Sequence, residues 1–288
     1  MVRHTFKLMK TIRTDGKFFN PEDTLECGQI FRYKPINGGF LVQSGGKCCF
    51  LKSVNDETEI TFEDNDEEYF KKYFDLDFDY SGIVERAEKC EYEIVRTAAE
   101  KASGVRILRQ DLSETLFSFI ISQNNMIPRI KAIIERTAAS LGEKKSFMGE
   151  EYYSFPTAEV LAMKDADFYF KLGYGYRADY IPAVAKAIES GEFDFSDDGL
   201  TTAELRKKLI SLKGVGPKVA DCVALFGYHR TDSFPVDTWI EKLYREDFGG
   251  ELKDRKKIAE FFTSRFGNDS GFIQQYIFYY KRSLADKD

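Results

Sequence analysis

At 288 residues the chain is long enough for two compact domains or one large one. With 43% hydrophobic and 15% aromatic residues it can bury a sizeable core, which excludes disorder as its dominant state. Its net charge of −6, taken as a whole, argues against a nucleic-acid partner. Along the chain, residues 1–10 mix charge and polarity with no apolar stretch, so no secretory leader is expected. Short β-rich pieces follow at residues 29–33, 40–43 and 48–53, punctuated by Asn37-Gly38-Gly39 and Gly45-Gly46, the signals of antiparallel hairpins. After Glu67 the apolar spacing becomes three-to-four. It predicts helices over 83–99, 112–121, 130–141, 183–188, 205–212, 219–226, 240–244, 258–266 and 272–284. The fold class is therefore α+β: an N-terminal antiparallel β-sheet region with helices, then an all-α region. The expected division is 1–105 and 106–288, with no linker between the halves.

Cysteine and histidine usage narrows the chemistry. Cys27, Cys48, Cys49, Cys90 and Cys222 are odd in number and include an adjacent pair, which does not suit a disulfide framework. A reducing interior compartment is expected, cytoplasmic or nuclear according to source. His4 and His229 are the only histidines and no CxxC occurs, so no metal, iron–sulfur cluster or other cofactor is expected. No apolar run reaches the roughly 18 residues of a membrane span, so no membrane association is expected.

The charge is uneven. Residues 55–80 carry eleven acids and two lysines, a net of −9, which leaves the rest of the chain at +3. Residues 203–230 hold Arg206, Lys207, Lys208, Lys213, Lys218 and Arg230 against Glu204 and Asp221, a net of +4. A phosphate-binding face depends on local potential rather than on the total. A solvated helix face accounts for the same charges.

Within that stretch, Leu212-Lys213-Gly214-Val215-Gly216-Pro217-Lys218-Val219 joins two predicted helices. Gly214 and Gly216 permit a tight hairpin, and Pro217 suits the first helical position. The amides of the following turn, Val219 included, then face outward at the positive end of the helix dipole, where they can hold a phosphate. An ordinary helix–turn–helix corner would look the same. Lys218 opposes the dipole, at a cost of ~0.3–1 kcal/mol. That field favours its neutral amine, a nucleophile able to form a Schiff base; a surface lysine pointing into water is the alternative. Downstream, Asp237 follows Phe234-Pro235-Val236 at a predicted helix start. It reads either as an N-cap (or Thr238 and Glu241 as a capping box) or as a carboxylate paired with the Lys218 amine.

These segments resemble the helix-hairpin-helix DNA glycosylases, and within them the 8-oxoguanine DNA glycosylases. Gly28-Gln29-Ile30-Phe31-Arg32, Val105-Arg106-Ile107-Leu108-Arg109-Gln110-Asp111, Ser122-Gln123-Asn124-Asn125-Met126-Ile127-Pro128-Arg129-Ile130 and Leu172-Gly173-Tyr174-Gly175-Tyr176-Arg177-Ala178 match that family's segments in order. The resemblance implies a helix-hairpin-helix glycosylase domain and a bifunctional glycosylase/lyase, a monomer acting on duplex DNA that contains 8-oxoguanine. It also implies roles. Lys218 would attack C1′ and Asp237 would stabilise the developing charge. Cys222 and Phe278 would sandwich the flipped base, Gln274 would bond its Watson–Crick edge, and the Gly28 carbonyl would accept the N7 proton that guanine lacks. Asn124 would fill the gap left in the duplex, while Arg129, Tyr176 and Arg177 would handle the opposite base. Gly214, Gly216, Val219 and Trp239 would lie against the backbone. Met126 and Trp239 depart from the family pattern of asparagine and histidine. A glycosylase for another damaged base, or a DNA-binding protein without activity, are the alternatives; an endonuclease-III-like enzyme is disfavoured because no four-cysteine cluster follows Cys222.

Overall fold

The computed structural model describes residues 8–285, so most of the stretch read for a leader lies outside the described residues. In chain order the elements are β1 (Met9–Asp15), α1 (Pro21–Glu26), β2 (Tyr33–Ile36), β3 (Gly39–Ser44), β4 (Lys47–Val54), β5 (Glu57–Glu63), α2 (Glu67–Tyr73), α3 (Ser81–Glu88), α4 (Glu93–Ala102), α5 (Leu112–Ser122) and α6 (Ile127–Leu141). There follow β6 (Lys144–Phe147), β7 (Glu150–Tyr153), α7 (Ala158–Ala162), α8 (Ala166–Lys171), α9 (Tyr180–Glu189), α10 (Thr202–Ile210), α11 (Pro217–Phe226), α12 (Thr238–Asp247), α13 (Arg255–Phe266) and α14 (Ser270–Ala285).

The first five strands form one antiparallel sheet in the order β1-β5-β4-β3-β2. Ile36 faces Gly39 and Ser44 faces Lys47 across two-residue turns. Asn37 and Gly38 in the first turn, and Gly45 and Gly46 in the second, all have positive φ, as mirror-image hairpin turns require. Residues 29–33 are not the expected strand: β2 begins only at Tyr33. Gln29 is fully buried, and its side chain donates to Thr24 O and Arg106 O at 3.0 and 2.7 Å and accepts from Leu108 N at 2.9 Å. Its carbonyl accepts from Gln110 Nε2 at 2.7 Å. Partners some eighty positions away replace a strand ladder, and no local pattern reveals them. The single helix expected over 83–99 is two, α3 and α4. Arg96 folds back to donate to the carbonyls of Cys90 and Glu91 at 2.7 and 2.9 Å between them.

One element departs from the helical expectation for the second half. β6 and β7 pair through Met148 and Gly149, both at positive φ. Their lysines, glutamates and tyrosines carry too little apolar alternation to register as strands.

Two apolar cores lie side by side. The sheet buries Val42, Leu51, Ile60 and Phe62 against Phe70 and Phe74 of the α2 region. The larger core runs from Phe31 through Ile83, Val95, Phe119 and Val223 to Ile277. α3 and α4 belong to this helical core, so the apolar division does not follow the expected boundary at 105. Arg106 seals the junction. Its buried guanidinium lies 4.0 Å from the Tyr80 ring and donates to the carbonyls of Phe18, Phe74, Asp75 and Phe78. This packing brings α1, α5, α11 and α14 to one place.

Candidate active site

The hairpin is built as its sequence dictates. α10 ends at Ile210, Val215 N donates to Leu212 O at 3.1 Å, and α11 opens with Pro217 in its first turn. Gly214 has φ +81, and a Cβ there would overlap the Tyr180 ring, so only glycine fits. No side chain caps α11. The first-turn amides of Lys218 and Val219 are therefore left at the edge of an open groove of about 660 Å³. Asn124, Gly216, Val219 and Trp239 all line this groove, and Trp239 is about half exposed.

A narrower pocket of about 40 Å³ adjoins the groove. Its wall contains Gly28, Lys218, Cys222, Asp237, Gln274 and Phe278, gathered from α1's exit, α11, the start of α12 and α14. Lys218 and Cys222 stand one turn apart on α11, as do Gln274 and Phe278 on α14. Burial pushes the Cys222 thiol up to about 11, although the Lys218 amine, hydrogen-bonded to it, pulls the other way. The thiol is thus neutral at physiological pH. Lys218 Nζ lies 5.2 Å from the centre of the Phe119 ring. Asp237 Oδ1 accepts from Ile240 N at 2.9 Å as the N-cap of α12, and Asp237 also lines the pocket that Lys218 lines. Thr238 forms no capping box: Asp237 holds the cap position, and Glu241 pairs with Arg255 at 3.0 Å. Gly28 has φ +83, and a Cβ there would sit 3.2 Å from Phe278 Cε1. A cavity of this size has room for a few waters but not for a purine.

Comparison with known proteins supplies the family. Residues 11–116 match the 8-oxoguanine DNA glycosylase N-terminal domain, and residues 117–267 match the HhH-GPD superfamily of base excision DNA repair proteins. The chain belongs to the 8-oxoguanine DNA glycosylase/lyase family. It is 30% identical over 230 residues, 73% of this chain and 72% of the relative, to a probable N-glycosylase/DNA lyase of Methanothermobacter thermautotrophicus. It is 33% identical over 199 residues, 62% of this chain, to the N-glycosylase/DNA lyase of Saccharomyces cerevisiae, of whose length it spans 51%. The 8-oxoguanine glycosylase/lyase of Clostridium acetobutylicum, solved with duplex DNA, superposes with a TM-score of 0.89 at 32% identity, over 96% of this chain and 98% of that one.

The residues expected at the opposite base differ in exposure. Arg177 is 4% exposed, and its guanidinium donates to Gln123 O, Asn124 O and Tyr174 O. It braces the Asn124 loop from behind. Tyr176 remains half exposed, with its hydroxyl 3.3 Å from Gln123 O. Arg129 is exposed and donates to Gly173 O at 3.3 Å. The basic stretch is also thinner than its charge count. Arg206 pairs with Asp221 at 2.6 Å, Lys208 with Asp194 at 2.7 Å, and Arg230 with Asp197. Lys207 and Lys213 are the exposed cations that stay beside the hairpin.

Three residues of the site carry no sequence signal strong enough to single them out. Phe119 lies under Lys218 but is one apolar position among many on α5. Gln275 lines the pocket next to Gln274. Gln123 donates to Gly214 O at 2.9 Å and so ties the Asn124 loop to the hairpin. Two adjacent glutamines in a tyrosine-rich helix are the one legible hint among these.

Proposed function

We propose that this chain excises 8-oxoguanine from duplex DNA and then opens the strand through a Schiff base on Lys218. The observation that supports this most directly is that all six residues assigned to chemistry and base binding line one pocket at the mouth of the hairpin groove. The hairpin amides hold the backbone of the damaged strand. The lesion leaves the stack and passes between Cys222 and Phe278. Gln274 meets its Watson–Crick edge, and the Gly28 carbonyl accepts the N7 proton. Guanine would bring a lone pair there, so the site rejects it.

Lys218 Nζ then forms a bond to C1′ as the C1′–N9 bond breaks, and the base leaves with the electron pair and gains a proton. Asp237 offsets the positive charge that grows on the sugar. Loss of the Nζ proton and opening of the sugar ring give the imine. Removal of a C2′ proton then expels the 3′ phosphate. Asn124 fills the gap in the duplex, Arg129, Tyr176 and Arg177 handle the opposite base, Arg177 also holding the Asn124 loop, and Trp239 lies along the backbone. We take the chain to act as a monomer inside the cell. Borohydride should trap it covalently on an 8-oxoguanine duplex and leave it untrapped on undamaged DNA; absence of a trapped complex would overturn the lyase reading.

A further inference from the structure

Gln275 has no part in the reaction described above, although its side chain lies in the wall of the same pocket. It is 3% exposed and Gln274 is 4% exposed. Gln275 Nε2 donates to Gln274 Oε1 at 2.6 Å, while its own Oε1 is buried without a hydrogen-bond partner. Among the described residues it is the one such atom whose residue lines this pocket. A buried carbonyl oxygen with no donor destabilises a fold unless something binds it.

The bond between the two amides decides what each can offer. With its oxygen engaged by Gln275, Gln274 presents its N–H groups. Those match the O6 acceptor of a 6-oxopurine and leave its N1–H and 2-amino donors to be met. Gln275 Oε1 is a buried acceptor on a residue that lines the same pocket. The joined amides therefore carry an oxygen without a donor together with N–H groups, as the Watson–Crick edge of a guanine-type base requires.

We propose that Gln275 is a specificity-determining residue that accepts a hydrogen bond from the N1–H or 2-amino group of the flipped base. It selects guanine-type over adenine-type 8-oxopurines. This inference rests on the reading of the pocket as the base site. It also separates two kinds of selection. Gly28 tests the N7 proton, which 8-oxoguanine and 8-oxoadenine share, whereas Gln275 tests the opposite edge, where they differ.

Single-turnover excision of 8-oxoguanine and of 8-oxoadenine, each in the same duplex, tests it on the full chain. Gln275→Met keeps the bulk and removes the acceptor. It should slow 8-oxoguanine excision by roughly tenfold or more and change 8-oxoadenine excision by no more than about twofold, since the latter base has neither donor. Gln275→Glu keeps an acceptor and should retain the preference for 8-oxoguanine even if its overall rate falls. It also supplies the decisive comparison should Gln275→Met fail to fold, as seen by thermal unfolding. Equal losses on both bases for Gln275→Met, or loss of preference in Gln275→Glu, would overturn the inference and leave Gln275 a packing residue. Gln274→Met and Phe278→Ala guard the underlying reading. If both excise at the unmodified rate, the pocket is not the base site and the inference falls with it; if they are slow while Gln275→Met treats both bases alike, only the inference falls.

Discussion

The base pocket and the cavity beneath the β3–β4 turn make an instructive pair. The second is far larger, about 520 Å³ against about 40 Å³, and is lined by Gly45, Glu114, Lys145, Ser154 and Phe155 among others. Its charged groups are nonetheless engaged by one another and by the backbone. Glu114 lies 3.5 Å from Arg32 and accepts from Gly45 N at 3.2 Å. Asp111 caps α5, and Lys145 donates to Gly46 O at 3.0 Å. The small pocket holds a lysine and a carboxylate in one wall, a neutral thiol and an amide oxygen with no donor. The chemistry gathered in the wall distinguishes the two: an amine beside a thiol and a carboxylate in the small pocket, and charged groups already bonded, beside an unpartnered Ser113 hydroxyl, in the larger one.

The sharpest way to break that contrast is to remove the amine. Lys218→Gln should abolish both base release and borohydride trapping, while affinity for lesion DNA largely survives because the hairpin amides remain. Trapping by this variant would show that another amine is the nucleophile.

Next in size is Asp237→Asn, which keeps the cap of α12 and removes the charge. Excision should fall severely, with a stability loss of about 1 kcal/mol or less in denaturant unfolding. Near-normal excision would reduce Asp237 to its cap.

A smaller effect is expected from the exposed cations at the hairpin. Lys207→Ala/Lys213→Ala should weaken lesion and undamaged DNA alike and flatten the dependence of log K on log salt by roughly 0.9 for each phosphate that is no longer neutralised. Lys208→Ala, whose partner is Asp194, should leave that slope unchanged. A weakening confined to lesion DNA would contradict simple binding to the backbone.

The larger cavity should answer to stability alone. Burial raises Glu114 to about 7, with the Arg32 charge opposing the rise. A carboxyl raised in the folded state stabilises the fold fully below its unfolded range. That contribution disappears as pH climbs through about 7, because the unfolded chain then binds fewer protons than the folded one. Glu114→Gln should remove this decline in thermal unfolding between about pH 5 and pH 8 and leave excision within about twofold of the unmodified chain. A large excision defect would mean that the two cavities are coupled.

Much of the site is legible in the sequence because its chemistry is local. Gly214, Gly216, Pro217 and Lys218 occupy consecutive turn and helix-start positions, where backbone conformation and residue type constrain each other. The i, i+4 pairs Lys218–Cys222 and Gln274–Phe278 follow from helical periodicity alone. The burial of Arg177 is not legible, for the opposite reason. An arginine beside a turn has no local signature that tells a DNA-facing guanidinium from one buried under Gln123 and Asn124. The segment 29–33 fails similarly, since Gln29 takes its partners from residues 24 and 106–110.

By itself the sequence determined most of the helices, the hairpin turn and the helix start at Pro217. These depend on turn stereochemistry, helical period and side-chain type, each readable within a few residues. Only the tertiary structure decided which of the basic side chains stay exposed and how Gly28 comes to face Phe278 across some 250 positions. It also decided that Gln275, rather than any other buried polar group, is left unsatisfied in the wall of the base pocket. Burial and hydrogen-bond partnership are properties of the packed core, where residues distant in the chain compete for the same few donors and acceptors.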